Sequence, residues 1–329
     1  MTDEGSAPEP VTAVIETAGE WLPGALGEVE RSLDEATART GPLAVDASAT
    51  LRAGGKRMRP MLVLLAAGPG GGARAIRSAT AVELIHMASL VHDDVLDRAP
   101  LRRGRPTVYA ESGRARATDL GDALFAEAFG LLARAGDGEA VELLSETTRD
   151  LVAGELTQRH QTGDLGLTDA QYLERCRLKT GSLFAASCVL GGLAADEGER
   201  PHLERLAGFG SDVGLAFQML DDVLDLSGPE ERTGKSPGTD LLDGTVTLPV
   251  VVAIGLDPEL AKVDLGSLDR DSAQALAGRI AATGALDEVR ARAVALVGEA
   301  KVGLAGAGLP DVRRELLELV ADGVVLRYS

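Results

Sequence analysis

Apolar residues recur at the three- and four-residue spacing of an α-helix along most of this chain, and this periodicity restricts the fold more than any other feature. The clearest case is 79–97, where Val82, Ile85 and Leu90 recur at helical spacing and Pro100 ends the pattern. The same periodicity predicts helices at 118–134, 141–160, 169–193, 203–226, 272–283, 287–303 and 312–324. Aromatic residues make up only 3 % of the chain, so small and aliphatic residues fill the core. Such a core favours packed helices over sheets, and we predict an all-α fold.

The breaks between these segments are short and rich in glycine or proline, as at 68–72, 163–166 and 228–244. No interior linker is long enough to divide the chain, so we predict a single domain at 11–329. The acidic, proline-containing residues 1–10 precede it, and we expect them to form a disordered tail.

The composition argues against several classes of partner. The chain carries a formal charge of −18, from 51 acidic and 33 basic residues, which disfavours nucleic acid because binding to a polyanion depends on clustered lysine and arginine. Cys176 and Cys188 are too few for a disulfide framework or a thiolate metal site, which favours a reducing compartment. No basic-then-apolar signal begins the chain, and the longest apolar runs, such as 61–67 and 248–254, are too short to span a bilayer. We therefore expect a cytoplasmic protein without a transmembrane segment.

The pentapeptide DDVLD occurs twice, each time near the end of a predicted helix and just before a proline-containing break. Its carboxylates are Asp93, Asp94, Asp97, Asp221, Asp222 and Asp225. The first and fifth residues of each copy share a helical face, so the carboxylates repel one another unless a cation lies among them. A helix C-terminus prefers lysine or arginine, which makes two acidic helix ends unusual. Mg²⁺, which binds oxygen ligands and shares them with phosphates, explains both clusters, whereas the alternative is a pair of solvated acidic helix ends.

Two basic segments flank the first acidic cluster. The segment 54–60, GGKRMRP, places its cations at the start of a predicted helix, where free N–H groups favour an anion. The segment 101–107, LRRGRPT, follows the cluster within ten residues, and arginine binds phosphate through paired hydrogen bonds. Either segment alone is more simply a charged surface loop. Together, in so acidic a chain, they predict a site for phosphorylated ligands.

Several further polar residues lie near the acidic clusters. His86 is two turns before the first cluster on the same helical face, where it can donate to a phosphate, although a lone histidine is more often a core residue. Lys179 and Thr180 lie among apolar residues in a predicted helix, where the lysine side chain can also extend to solvent. Gln218 precedes the second cluster by one turn, and Lys235 lies in the loop that follows it.

Taken together, these segments resemble the trans-isoprenyl diphosphate synthase (polyprenyl synthetase) family. The matching segments lie between residues 51 and 249 in the family's order, and they are GGKRMRP, ELIHMASLVHDDVLD, LRRGRPT, GELTQ, LKTGSLF, FQMLDDVLD and GTDLLDGTVTLP. The resemblance implies an isoprenoid synthase-type antiparallel helical bundle around a central cavity, assembled as a homodimer. It also implies three Mg²⁺ ions and two substrates, isopentenyl diphosphate and an allylic diphosphate.

The resemblance further implies a role for each candidate residue. The catalytic set is Asp93, Asp94, Asp97, Lys179, Asp221 and Asp222, and Asp225 completes the metal-binding aspartates. The isopentenyl diphosphate site comprises Lys56, Arg59, His86 and Arg103. The allylic diphosphate site comprises Arg102, Lys179 and Lys235, with Thr180 and Gln218 beside the reacting atoms. One departure is Thr245, where many members have a lysine that contacts the allylic diphosphate, so we expect weaker binding of that substrate.

We therefore predict a prenyltransferase that releases a medium- or long-chain all-trans polyprenyl diphosphate. In this family an aromatic residue four or five positions before the first cluster stops the product at fifteen or twenty carbons. This chain has Ala88 and Ser89 there, and Phe125 and Phe129 on a facing helix would close the cavity lower down. We expect thirty carbons or more, with geranylgeranyl diphosphate, of twenty carbons, as the alternative. A class I terpene cyclase, a non-catalytic subunit of a heteromeric synthase and a structural metal-binding protein are further alternatives, which the second DDVLD and the cations disfavour.

Overall fold

The computed structural model describes residues 9–195, 201–228 and 237–326, and nearly all regular structure within them is helical. The predicted all-α fold is thereby confirmed. In chain order the helices are α1 (Glu9–Ala18), α2 (Trp21–Ala38), α3 (Ala44–Arg52), α4 (Met58–Ala67), α5 (Gly72–Leu96), α6 (Val108–Arg134), α7 (Gly138–His160), α8 (Asp169–Cys176), α9 (Ser182–Ala194), α10 (Leu203–Ser227), α11 (Thr239–Leu242), α12 (Leu248–Leu256), α13 (Arg270–Ala282), α14 (Ala285–Leu304) and α15 (Asp311–Leu326). Lys235 and residues 1–8 of the predicted tail lie outside the described residues, and Glu9 and Pro10 already belong to α1.

Shorter elements join some of these helices. Single 3₁₀ turns occur at Gly41–Leu43, Pro69–Gly71, Pro258–Lys262 and Leu265–Ser267. A π-helical turn at Arg177–Gly181 separates α8 from α9. Two two-residue strands, β1 (Leu101–Arg102) and β2 (Arg105–Pro106), form a small antiparallel hairpin.

The helical segments predicted from periodicity are all present, but three of them differ in detail. The helix predicted at 79–97 begins seven residues earlier, at Gly72, and the one predicted at 118–134 begins at Val108. Within α6 the backbone leaves helical geometry at Gly113, whose φ of 82° is readily adopted only by glycine. The segment 169–193 is divided by the π-helical turn, which periodicity alone does not reveal.

The described residues form two compact units. The first includes residues from Met1–Thr148, Phe184–Gly208 and Gly303–Gly323. Helix α5 lies at its centre, packed against α2, α4 and α6, and is buried along most of its length. Such all-round burial requires a helix that is apolar on every side, which the small and aliphatic residues at 79–85 provide, apart from the buried Glu83.

The second unit includes residues from Arg149–Leu183, Phe209–Val302 and Val324–Ser329. Here α8 begins with a capping box in which Thr168 and Gln171 satisfy each other's backbone N–H groups. Helix α12 contacts α8 and has proline in its first turn, where the missing N–H has no intrahelical partner in any case. Because the chain divides into these two units, the single domain expected at 11–329 remains a prediction. Among the described helices, none is both long and apolar enough to cross a membrane.

Candidate active site

The first DDVLD segment forms the C-terminal turn of α5, as predicted. Asp93 and Asp94 lie in that turn, and the backbone N–H of Asp97, which caps the helix, donates to the carbonyl of Asp93 at 2.8 Å. The last turn contains no basic residue. Asp94 is only 6 % exposed, and its Oδ1 accepts a hydrogen bond of 2.8 Å from Nε of Arg102. Asp93 is half-buried and Asp97 is exposed.

The second DDVLD segment repeats this pattern near the end of α10. Asp222 is 4 % exposed, and its Oδ2 accepts a hydrogen bond of 2.6 Å from the hydroxyl of Tyr172. Its Oδ1 accepts from Nε2 of Gln218 at 2.8 Å. Asp221 is exposed, and Oδ2 of the half-buried Asp225 accepts from a backbone N–H in α11 at 3.1 Å. In both copies, therefore, the second aspartate is buried and held by donors of the same unit.

Burial also changes the chemistry of Asp222. It raises the pKa of this carboxyl to about 7, although the hydrogen bonds from Tyr172 and Gln218 act in the opposite direction. The neighbouring carboxylate of Asp221 acts in the same direction as burial. Nearby positive charge would therefore favour the ionised form of Asp222, as expected of a carboxylate next to a cation site.

The aspartates fit a metal ion that is shared with a substrate. Among the described residues, no three carboxylate, imidazole or thiol side chains converge on one point as a complete protein site would require. Mg²⁺ commonly uses only one or two carboxylates and completes its octahedron with water and phosphate oxygens. Hard oxygen donors at two helix C-termini that lack basic residues suit such an ion.

A cavity of about 250 Å³ lies in the first unit, and its wall combines cations with apolar side chains. The polar residues of its lining include Arg57, Glu83, His86, Asp94, Arg102 and Arg103. Of the predicted site residues, four therefore lie around one cavity: His86, Asp94, Arg102 and Arg103. The lining also includes four carboxylates, and two of them form ion pairs with Arg57 and Arg102.

Arg103 lies at the tip of the β1–β2 hairpin. Both central residues of the two-residue turn have positive φ, 53° for Arg103 and 73° for Gly104, as a type I′ turn requires. A side chain at Gly55 would lie 3.3 Å from one guanidinium nitrogen of Arg103 and equally close to one of Arg57. Glycine at this position therefore lets two cations approach the same stretch of backbone.

Arg57 caps α4 in the left-handed conformation, with φ of 49°. Its Nε lies 2.6 Å from Oε1 of Glu30, and its Nη1 lies 2.7 Å from Oε1 of Glu83. These ion pairs attach the segment 54–57 to α2 and α5. Arg57 therefore holds the N-terminal end of α4 in place. The exposed Lys56 precedes it in the same loop.

Arg59, in the first turn of α4, has an environment that suits an anion. Its guanidinium carbon lies 4.6 Å from the centre of the Phe184 ring, and its buried Nε has no hydrogen-bond partner among the described residues. Burial lowers the pKa of Arg59 to about 10, with Glu83 opposing and Arg103 adding to the effect. The side chain still carries its charge at neutral pH.

His86 is neutral in this setting. Burial lowers its pKa well below the usual 6.5, and the positive charges of Arg59, Arg103, Arg102 and Arg57 lower it further. A neutral imidazole donates from one nitrogen and accepts at the other, so His86 can hydrogen-bond a phosphate without adding charge.

In the second unit, Lys179 and Thr180 lie in the π-helical turn. Nζ of Lys179 lies 2.5 Å from Oε2 of Glu155 in α7. A side chain at Gly154 would lie 2.5 Å from the backbone nitrogen of Lys179, so this glycine allows α7 to approach the turn closely. The hydroxyl of Thr180 donates to Oε1 of Gln218 at 2.9 Å. Because the same side-chain amide donates to Asp222, Gln218 links Thr180 to Asp222. π-Helical turns are rare and are frequent at functional sites.

Four residues of this environment were not predicted from the sequence. They are Glu83, Glu155, Tyr172 and Phe184. Glu83, Glu155 and Phe184 lie within the matched segments ELIHMASLVHDDVLD, GELTQ and LKTGSLF, and a search of those segments for charge partners would have found the two glutamates. Tyr172 lies outside every matched segment. At the position of Thr245 the backbone N–H donates to the carbonyl of Asp240 at 2.8 Å, within the turn that follows α11.

A family model described as polyprenyl synthetase matches residues 43–277, a range that contains both DDVLD segments and both basic segments. The chain is 46 % identical over 237 residues to heptaprenyl diphosphate synthase component 2 of Geobacillus stearothermophilus, covering 71 % of this chain and 74 % of that protein. It is 34 % identical over 287 residues to geranylgeranyl diphosphate synthase of Methanosarcina mazei, covering 84 % and 86 %.

A solved structure gives the corresponding likeness in three dimensions. The polyprenyl synthase of Caulobacter crescentus, crystallised with calcium and isoprenyl diphosphate, superposes with a TM-score of 0.86 at 33 % identity. The superposition covers 95 % of this chain and 98 % of that chain. The isoprenoid synthase-type fold implied by the sequence motifs is thereby confirmed.

Proposed function

Since this chain belongs to the polyprenyl synthetase family, we propose that it joins isopentenyl diphosphate to an allylic diphosphate and forms medium- or long-chain all-trans polyprenyl diphosphates. The observation that carries this proposal is the family match across residues 43–277, which contains both acidic segments and the cavity beside His86 and Arg103. The enzyme is a prenyltransferase.

Isopentenyl diphosphate occupies the cationic side of the first unit in this proposal. Arg59 supports the assignment most directly, because its buried Nε has no hydrogen-bond partner among the described residues and its charge lies near His86 and Arg103. A diphosphate would satisfy that donor and balance the positive charge. The predicted fourth member, Lys56, lies three residues earlier on the exposed loop.

The allylic diphosphate and Mg²⁺ bind at the aspartates. The outer aspartates of each cluster, Asp93, Asp97, Asp221 and Asp225, are more exposed than Asp94 and Asp222, so we assign the metal contacts to them first. Asp94 and Asp222 then orient the clusters, because each is buried and already hydrogen-bonded. Bound Mg²⁺ would stabilise the negative charge on the departing diphosphate. We propose three ions, as the resemblance to the family implies.

Lys179 and Thr180 serve the allylic side of the reaction. Glu155 holds the ammonium group of Lys179 at 2.5 Å, so this cation is oriented before any substrate binds. Gln218 likewise orients the hydroxyl of Thr180. Arg102, which forms an ion pair with Asp94, and Lys235 are the other two cations proposed to bind the allylic diphosphate.

The chemistry assigned to these side chains is electrostatic. As the allylic C–O bond breaks, negative charge grows on the diphosphate, and the fixed cations stabilise it without reorganising. The double bond of isopentenyl diphosphate, held nearby, attacks the allylic carbon and forms the new C–C bond. The attack leaves a positive charge on the tertiary carbon of the isopentenyl unit. The neighbouring CH2 group then loses a proton to the released diphosphate, and the C–H electron pair forms the new double bond. Apolar residues such as Met87, Leu90 and Val91 exclude water from a cation that water would quench.

The product is proposed to be long. The heptaprenyl relative is 46 % identical and the geranylgeranyl relative 34 % identical over their aligned lengths, which favours a medium or long chain. The small side chain of Ala88, fully buried in α5, is compatible with an open path for the product. Geranylgeranyl diphosphate remains the alternative product, and a terpene cyclase is disfavoured by the named relatives.

The assembly and location are also proposals. We expect a homodimer, but the 46 % identical relative is named as one component of an enzyme, so a second kind of subunit is the alternative. Free, buried thiols at Cys176 and Cys188 agree with a reducing cytoplasm.

One experiment tests the function and the assembly together. The purified chain, with Mg²⁺, isopentenyl diphosphate and allylic starters of ten, fifteen or twenty carbons, should consume isopentenyl diphosphate and yield chains that chromatography can size. Light scattering of the same sample should give twice the chain mass of 34.0 kDa. Cyclic hydrocarbon products would support the cyclase, and inactivity of a well-folded chain would favour the two-component alternative.

A further inference from the structure

A buried hydrogen-bond network in the second unit links α8, the π-helical turn and α10. The Tyr172 side chain is fully buried, and its hydroxyl donates to Oδ2 of Asp222 at 2.6 Å. Nε2 of Gln218 donates to the other oxygen, Oδ1, at 2.8 Å. Oε1 of Gln218 accepts from Thr180 at 2.9 Å. Because a carboxylate only accepts, these bonds can run in only one direction when Asp222 is ionised, and each side chain then has one orientation.

The ring of Tyr172 is itself held by a buried cation. Arg175 is only 2 % exposed, and its guanidinium carbon lies 5.2 Å from the centre of the Tyr172 ring. Nη2 of Arg175 donates to the carbonyl of Val246 at 2.8 Å, and Nη1 donates to Oε1 of Gln161 at 3.1 Å. Moving Tyr172 would therefore disturb a desolvated charge, which makes a change of rotamer costly.

The position of Tyr172 in the chain connects two predicted parts of the site. It lies seven residues before Lys179, and the two are joined by the last turn of α8 and the π-helical turn. The bond to Asp222 therefore connects the segment that carries Lys179 and Thr180 to the helix that carries the second DDVLD.

We propose that Tyr172 is a positioning residue, which acts through Asp222 to orient the second aspartate cluster for a magnesium-bound diphosphate without touching the substrate. This inference rests on the proposed assignment of that cluster to the metal and the allylic diphosphate. The hydroxyl is the informative group, because phenylalanine would keep the ring volume and the contact with Arg175 while removing the bond to Asp222.

Tyr172→Phe and the matched control Tyr109→Phe test the proposal. Tyr109 is half-buried in α6 of the first unit and loses the same atom. Calorimetry measures the binding of inorganic diphosphate with Mg²⁺, which needs no turnover. Tyr172→Phe should weaken this binding about tenfold and raise the KM for the allylic substrate similarly, the scale of one lost hydrogen bond to a charged group. In Tyr172→Phe the KM for isopentenyl diphosphate should change less than about twofold. All values for Tyr109→Phe should also stay within about twofold, the ordinary range for a surface change.

A second variant keeps the test decisive if Tyr172→Phe folds poorly. Gln218→Leu, at a half-buried site, removes the donor on the other oxygen of Asp222 together with the acceptor of the Thr180 hydroxyl. It should also weaken diphosphate binding, and the double variant should lose less than the product of the two effects, because both act on one carboxylate.

Asp221→Ala separates this inference from the function on which it rests. If Asp221→Ala loses diphosphate binding while Tyr172→Phe keeps it and loses only thermal stability, the positioning role is wrong and the site assignment stands. Equal increases of both KM values in Tyr172→Phe would also overturn the role. If Asp221→Ala binds Mg²⁺ and diphosphate as the wild type does, the site assignment fails, and the positioning role fails with it.

Discussion

Nε of Arg102 lies 2.8 Å from Oδ1 of Asp94, so the β1–β2 hairpin is attached directly to the C-terminal turn of α5. The Asp94 side chain is 9 % exposed and that of Arg102 is 34 % exposed. The pair therefore orients the first aspartate cluster and the loop with Arg103 at the same time. Loss of the arginine would leave a mostly buried carboxylate without this partner.

We predict that Arg102→Ala lowers turnover at least ~10-fold and the free energy of unfolding by about 1–3 kcal/mol, the scale of removing one hydrogen-bond partner from a buried charged group. Turnover assays and chemical denaturation measure the two effects. Arg114→Ala, at an exposed arginine in α6, is the matched control and should change neither. Unchanged turnover in Arg102→Ala would remove this ion pair from the catalytic site.

The outer aspartates carry the second prediction. Asp93→Ala and Asp221→Ala should each reduce turnover by at least ~100-fold, as expected for a main electrostatic stabiliser of the leaving group. Asp119→Ala, on the exposed side of α6, should retain normal turnover and controls for the loss of one negative charge. Turnover of each variant is measured at saturating Mg²⁺. Near-normal turnover in either variant would show that its cluster does not hold the metal.

The third prediction separates the two substrates. Arg59→Ala should raise the KM for isopentenyl diphosphate about 10- to 100-fold, because it removes a charge-assisted hydrogen bond worth roughly 1.5–3 kcal/mol. Lys179→Ala should instead act mainly on the KM for the allylic substrate. Initial rates with each substrate varied in turn measure both constants. If Arg59→Ala raises the two KM values equally, the division of the site between these residues is wrong.

His86 provides a prediction about pH. The groups around it are the cations Arg57, Arg59, Arg102 and Arg103, with Glu83 nearby on its own helix. Its pKa in the folded protein lies well below 6.5, so as pH falls through 6.5 the unfolded chain takes up a proton that the folded chain does not. The contribution of His86 to stability is therefore present above pH 6.5 and is lost as pH falls.

Replacement of this histidine isolates the effect. His86→Gln should lose less stability than the wild type between pH 7.5 and pH 5.5, although its stability at pH 7.5 need not be higher. Urea denaturation at the two pH values gives the difference directly. His202→Gln, at an exposed histidine, should follow the wild type. Parallel pH dependence of His86→Gln and the wild type would mean that His86 does not resist protonation in the fold.

Local sequence patterns predicted most of the helices, because apolar spacing reports directly on which face of a helix is buried. The acidic helix ends were predicted for a similar reason, since i and i+4 carboxylates conflict within a single turn. By contrast, the π-helical turn at Arg177–Gly181 depends on how closely α7 approaches it at Gly154, and these residues are far apart in the chain. Periodicity contains no information about that contact.

The orienting partners were equally inaccessible from local patterns. Tyr172 and Asp222 are 50 residues apart, and a tyrosine on a short amphipathic helix predicts burial of its ring rather than a particular hydrogen bond. Arg57 is another example, because the local sequence specifies neither its left-handed φ nor its ion pairs with α2 and α5. The sequence thus identified chemical groups, whereas the partners that orient them depend on tertiary packing.

The last prediction concerns product length. Ala88 is fully buried in α5, five residues before Asp93, and each residue along a helix advances ~1.5 Å. If the product extends along α5, a phenylalanine ring at Ala88 closes its path near the reacting end. Ala88→Phe should therefore shorten the main product to twenty carbons or fewer, whereas the wild type should release thirty or more. Chromatography of the dephosphorylated products measures both.

A matched variant distinguishes this block from general damage to the core. Ala79 is also fully buried in α5 but lies nine residues further from the acidic cluster than Ala88, about 13 Å along the axis. Both substitutions overpack the core, at a cost of about 1–3 kcal/mol each, so general damage should affect their products alike. A block along α5 should instead let Ala79→Phe make longer chains than Ala88→Phe. Equal product lengths in the two variants, or a wild type that stops at fifteen carbons, would place the end of the cavity elsewhere.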